Sequence, residues 1–142
     1  MTAVHHLAHA VGSTGSEVPA YRVEIRVGTH EVVADEPTSM GGGDVGPSPF
    51  DLFVSALVAC TSTTLRMYAE RKGWELSSIA VEVRLNVGDD RHRTIDRTIT
   101  VPDDLPAERL QSLVAVAERT PVTLAIREGT PITTTFRPGA GN

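Results

Sequence analysis

Three observations make this 142-residue sequence an α+β chain built on antiparallel sheets. Strand-like alternation recurs in pairs of segments joined by short turns. A long apolar stretch with helix-start and helix-stop signals separates the pairs. A second helical pattern follows the last pair. The resulting order is β-β-α-β-β-α-(α)-β, with no internal repeat.

Residues 1–19 hold Gly12, Ser13, Gly15 and Ser16 with little periodicity, which reads as a flexible arm or a loosely attached first strand. Residues 20–142 are expected to form a single domain. His5, His6 and His9 lack acidic or Cys companions, so the arm is read as solvated and not as a metal site. Tyr21, Val23, Ile25 and Val27 alternate with Arg22, Glu24 and Arg26, the period of a strand with one buried face. Gly28-Thr29-His30 turns the chain into a second strand, Glu31–Asp35, giving a hairpin.

The run Gly41-Gly42-Gly43-Asp44-Val45-Gly46-Pro47 lacks the Lys-Ser/Thr ending of a phosphate-binding loop and is read as a mobile connection. A helix then starts sharply. Ser48 is suited to the N-cap, Pro49 to the first turn, and Asp51 completes a Ser-x-x-Asp capping box. From Pro49 to Arg71 apolar residues occupy nearly every face, and Gly73 supplies the stop. A helix apolar all round must be buried all round, and one short chain has little to cover it with, so a homodimer is expected. The hydroxyl run Thr61-Ser62-Thr63-Thr64 beside Cys60 suggests a polar pocket.

Ile79, Val81, Val83, Leu85 and Val87 alternate cleanly, then Gly88-Asp89-Asp90 turns into a partner carrying Ile95, Ile99 and Val101. Arg97 falls on the apolar side of that partner, where a guanidinium needs a bonding partner or a cavity. Leu110, Leu113, Val114 and Val116 mark a helix from about Pro106 to Arg119. Pro121 interrupts it, the chain can restart as a helix through Ile126, and Pro131–Phe136 reads as a last strand. Trp74 is expected to pin the helix end to the sheet and Tyr68 to pack or line a pocket, while His92, in a turn, is read as exposed.

A net charge of −5 and a pI near 5.5, with no basic run, exclude the electrostatic footprint of a nucleic-acid or anionic-membrane binder. The start of the chain lacks a signal-peptide pattern, and one cysteine suits a reducing compartment, so a cytoplasmic location is expected. No cofactor is indicated, no His, Cys and carboxylate grouping has metal-ligand spacing, and no serine elbow appears. Cys60 remains: a lone thiol inside an apolar helix is either a small core residue or a nucleophile with an outside partner.

Several of these segments together resemble the OsmC/Ohr family, over roughly residues 20–137. They are Ala34–Pro37, Gly46-Pro47-Ser48-Pro49-Phe50-Asp51-Leu52, Ala56–Thr61, Thr64–Ala69, Ile95-Asp96-Arg97 and Pro121-Val122. The last two match its OsmC-like branch. The resemblance implies an OsmC-like fold in which sheets wrap long central helices, an intertwined homodimer, and thiol sites at the subunit interface. It also implies reduction of organic or inorganic hydroperoxides, with Cys60 as the peroxide-attacking cysteine. Only a thiolate attacks well, so the family chemistry requires a nearby cation, most naturally an arginine.

The chain departs from the family in three places. The Gly-Arg-Asp-Gly motif that the organic-hydroperoxide branch carries in its first hairpin is absent, leaving Arg22, Arg26 and Arg97 as candidate activating cations. Phe50 replaces the glutamate at the helix start, and Asp51 one position later either orients an arginine or caps the helix. Thr120 occupies the place of the second, resolving cysteine, and a hydroxyl cannot resolve a sulfenic acid. Two functions follow. One is a one-cysteine thiol peroxidase recycled by an external thiol or dithiol. The other is a non-catalytic dimeric binding protein for a small apolar or electrophilic molecule.

Overall fold

The computed structural model describes residues 2–16 and 21–139, which gather into two compact units. One is drawn from Met1–Ser55 and Leu85–Thr94, the other from Ala56–Arg84 and Ile95–Asn142. The expected end of the arm at Pro19 lies outside the described residues.

In the first unit, β1 (Ala10–Ser13), β2 (Val23–Val27) and β3 (His30–Ala34) form an antiparallel sheet in that order. Val27 pairs with His30, so the turn is the two residues Gly28-Thr29 and His30 belongs to the strand. Gly28 has a φ of 60°, the left-handed conformation such a hairpin demands of its first turn residue.

The glycine run after β3 is held rather than slack. Asp35, 1% exposed, accepts the N–H of Glu36 at 2.8 Å through Oδ1, and those of Gly43 at 3.0 Å and Val45 at 3.2 Å through Oδ2. The turns pass so close to the strand end that a Cβ on Gly42 would lie 1.9 Å from the Glu36 carbonyl oxygen. One on Gly46 would lie 2.1 Å from that of Val33.

Helix α1 spans Pro49–Arg71. Its start is the expected capping box. The Asp51 N–H donates to Ser48 Oγ at 3.2 Å, and the Ser48 N–H returns a bond to Asp51 Oδ2 at 2.9 Å. Its end is a Schellman motif. Gly73, with φ 70°, donates to the Glu70 carbonyl, and Trp74 donates to that of Ala69 at 2.9 Å. Trp74 then meets Tyr68 edge-on, ring centroids 5.7 Å apart.

Within the second unit the core is Leu65, Ala69, Leu76, Leu113 and Ala117, with Ile99, Val101 and Val116 packed against it. It joins α1 to β5 (Arg93–Thr100) and to α2 (Ala107–Ala117). β5 pairs with β4 (Ala80–Val87), and α3 (Pro121–Glu128) restarts at Pro121 as expected.

A single chain buries one face of α1, and the expected last strand needs correction. Along α1 only Leu57, Thr61, Leu65 and Ala69 are buried, a single line at i+4 spacing, whereas Phe50 (54%), Phe53 (41%) and Met67 (62%) stay exposed. One chain covers one face of this helix. The segment Pro131–Phe136 forms no strand among the described residues, and its Ile132 and Phe136 are almost fully exposed. Its alternation is a strand pattern that pairs with no sheet edge among the described residues.

Candidate functional site

Cys60 lies on α1 one residue before the buried line, and its side chain is half-buried. Its sulfur has two polar neighbours. The Val122 N–H donates to Sγ at 3.4 Å, and Thr64 Oγ1, one turn along α1, lies 3.9 Å away. Val122 is the second residue of α3, so its amide is among those a helix leaves unpaired at its start.

The residue expected to serve that amide is the N-cap, Thr120, which is extended with φ −65° and ψ 151° and makes no capping bond. Its hydroxyl, fully buried, shares a 2.6 Å hydrogen bond with Thr123 Oγ1 instead. The sulfur of α1 thus caps α3. Negative charge on that sulfur would face the positive end of a helix, an arrangement that favours anions.

Arg97 bonds the residues that follow both partners of this contact. Its side chain is 11% exposed, and its guanidinium donates to Thr61 Oγ1 at 3.0 Å, Thr123 Oγ1 at 2.8 Å and the Ala117 carbonyl at 2.8 Å. Glu118 Oε1 lies 4.0 Å from Nη2 and also pairs with Arg127. The fork therefore ties β5 to α1, to the end of α2 and to the first turn of α3. On its flank opens a cavity of about 530 Å³, lined by Leu57, Ile95, Ile126, Arg97 and Arg127 among others.

The structure brings together Cys60, Arg97 and Thr120 in the second unit, through Thr61 and Thr123. Arg22 and Arg26 lie on or beside β2 in the first unit, where they pair with Glu24 at 3.0 Å and Glu31 at 3.8 Å. Asp51 caps α1. The Ser48 hydroxyl, and secondarily its backbone N–H, hold the Asp51 carboxyl below the usual range. Ser62 returns its hydroxyl to the Val58 carbonyl at 2.8 Å, the bond open to a helical serine. His92 is exposed, as expected.

Sequence reasoning missed Thr123 and the Val122 amide. The available signal was the Thr120-Pro121-x-Thr123 start of α3, in which two hydroxyls three residues apart share one helix turn. Among the described residues no cluster of His, Cys, Asp and Glu could hold a metal ion.

Fold and site define an α+β protein with its one thiol set against a helix N-terminus. Residues 41–135 match the family model described as OsmC-like protein, and the chain belongs to the OsmC family. Solved structures share the fold. A Psychrobacter arcticus protein assigned to osmotic stress and detoxification response is 18% identical, with a TM-score of 0.71 over 90% of this chain and 92% of that one. The organic hydroperoxide resistance protein OsmC of Legionella pneumophila is 20% identical, with a TM-score of 0.62 over 88% and 92%. The organic hydroperoxide resistance protein OhrB of Bacillus subtilis is 26% identical, with a TM-score of 0.58 over 86% and 91%. No curated protein sequence matches the chain.

Proposed function

We propose that this protein is a thiol-dependent hydroperoxide reductase that works with one cysteine, as a homodimer, in the cytoplasm. The observation that supports it best is the half-buried Cys60 sulfur meeting the open amide of Val122, in a family whose solved members include hydroperoxide resistance proteins. The Cys60 thiolate attacks the distal peroxide oxygen. An S–O bond forms, the O–O bond breaks, and the departing alkoxide takes a proton to leave as alcohol, or as water from H2O2.

Thr120 cannot close a disulfide on the resulting sulfenic acid. An external thiol therefore attacks the sulfur and releases water, and a second thiol restores Cys60 from the mixed disulfide. In sum, one hydroperoxide and two thiols become one alcohol, one disulfide and one water. The uncovered Phe50, Phe53 and Met67 of α1, and the unpaired Pro131–Phe136 segment, support a second copy of the chain as the missing cover.

The test incubates reduced protein with cumene hydroperoxide, tert-butyl hydroperoxide and H2O2, following peroxide loss and trapping the sulfenic acid with a dimedone probe. Wild type should consume peroxide with thiol present and give one adduct at Cys60, and Cys60→Ser should do neither. Unchanged peroxide and an unlabelled wild type would leave the second reading, a non-catalytic small-molecule-binding protein. What favours that reading is the cavity beside Arg97, whose lining mixes Leu57, Ile95 and Ile126 with the charged Asp96, Glu118 and Arg127, and the engagement of that arginine by threonines.

A further inference from the structure

We infer that Arg97 is a positioning residue for Cys60, acting through Thr61 and Thr123, and that the backbone group donating to the reacting sulfur is the Val122 amide. The inference rests on the peroxidase reading and gives its sulfur a backbone donor.

One guanidinium nitrogen, Nη1, bonds both Thr61, the residue after Cys60 on α1, and Thr123, the residue after Val122 on α3. The two groups that meet at 3.4 Å, Cys60 Sγ and Val122 N–H, are thus each one residue away from a hydroxyl bonded to the same atom. The other nitrogen, Nη2, bonds the Ala117 carbonyl at the last residue of α2, fixing the stretch that leads into α3. Thr120, at the N-cap, completes the set by bonding Thr123.

A planar fork with several donors in fixed directions can hold these acceptors at once. An ammonium group, a point charge on a flexible stem, cannot reproduce that registry. The threonines also explain themselves. Three buried hydroxyls, Thr61, Thr120 and Thr123, would each cost stability if left unpaired, and together with Arg97 they satisfy one another.

The experiment separates a positioning fork from a nearby positive charge. Cys60 alkylation by iodoacetamide is measured in wild type, Arg97→Lys, Thr123→Val and the double variant. The Val122 amide is followed by proton–nitrogen NMR, and thermal melting reports the fold. If Arg97 positions, Lys fails to replace it. Arg97→Lys and Thr123→Val each slow alkylation by roughly tenfold, the scale of one lost charge-assisted hydrogen bond. The double variant is then little worse than either single one, and the Val122 resonance moves in all three.

Arg97→Lys alkylating at the wild-type rate with the Val122 resonance unmoved would overturn the inference. So would a fully additive double variant. Thr123→Val keeps Arg97 and nearly the same side-chain volume, so it remains informative if Arg97→Lys melts early. Alkylation needs no peroxide turnover. A wild type inert to hydroperoxide but sensitive to these substitutions therefore sinks the peroxidase reading and leaves the positioning role intact.

Discussion

The Val122 amide donates to the Cys60 sulfur across 62 positions of sequence, at 3.4 Å, and the sulfur takes the place of the cap that Thr120 does not provide. This contact joins the chemistry of α1 to the start of α3. It also sets what restoring a second thiol would do.

Thr120→Cys should convert a one-cysteine site into a two-cysteine one. Residue 120 is fully buried and lies two positions before the amide that touches the sulfur. After one equivalent of peroxide, the variant should lose two hydrogens in mass and give no dimedone adduct, where wild type gives the adduct. A persistent adduct in the variant would mean the two positions cannot meet disulfide geometry. The lost hydrogen bond to Thr123 should lower stability by about 1 kcal/mol.

Asp51 predicts a pH effect. Its carboxyl titrates below its usual value because the Ser48 hydroxyl, then the Ser48 backbone, bonds the ionised form. A depressed folded-state pKa contributes stability that is present above the unfolded value of about 4 and disappears as pH falls through the folded one. Urea melts between pH 7 and 3 should show wild type losing stability at the acid end. Asp51→Asn should start lower and lose less over that range. Parallel curves would show that the cap is independent of charge.

Gly46→Ala tests the clamp around Asp35. The new methyl would sit 2.1 Å from the Val33 carbonyl oxygen, a backbone atom at the end of β3 that cannot swing aside. The variant should be strongly destabilised in a urea melt. Gly15→Ala, where nothing lies within 4 Å of the added carbon, should melt like wild type. Equal melts for the two variants would contradict the close approach.

The apolar face of α1 predicts an oligomer. Phe53 is 41% exposed in the single chain. Sedimentation should find wild type dimeric, and Phe53→Asp should shift it toward monomer and toward aggregation. A monodisperse wild-type monomer would show that a second copy does not cover this face. By contrast, Leu65→Ala, inside the core at 1% exposure, should cost roughly 2–5 kcal/mol whatever the assembly.

Local chemistry was the legible part of the sequence. Ser48 and Asp51, Pro49, and Gly73 mark both ends of α1 because caps depend on neighbours a few residues away. The placement of Arg97 was legible too, since strict alternation along β5 put it on the inner face, where it is found nearly buried. Its three acceptors were not, because Thr61, Ala117 and Thr123 come from three helices and no short-range pattern encodes their meeting. Pro131–Phe136 shows the converse. Alternation reports a preference for a pleated surface, and a strand forms only when the segment also pairs with a neighbour.

Glycine-rich stretches ordinarily offer proteases a place to cut, because slack backbone can be drawn into a cleft. The stretch between β3 and α1 should resist limited digestion, since one carboxylate anchors it at residues 36, 43 and 45 and two of its glycines, Gly42 and Gly46, lie flush against neighbouring carbonyls. Its composition reflects lack of room, not freedom to move.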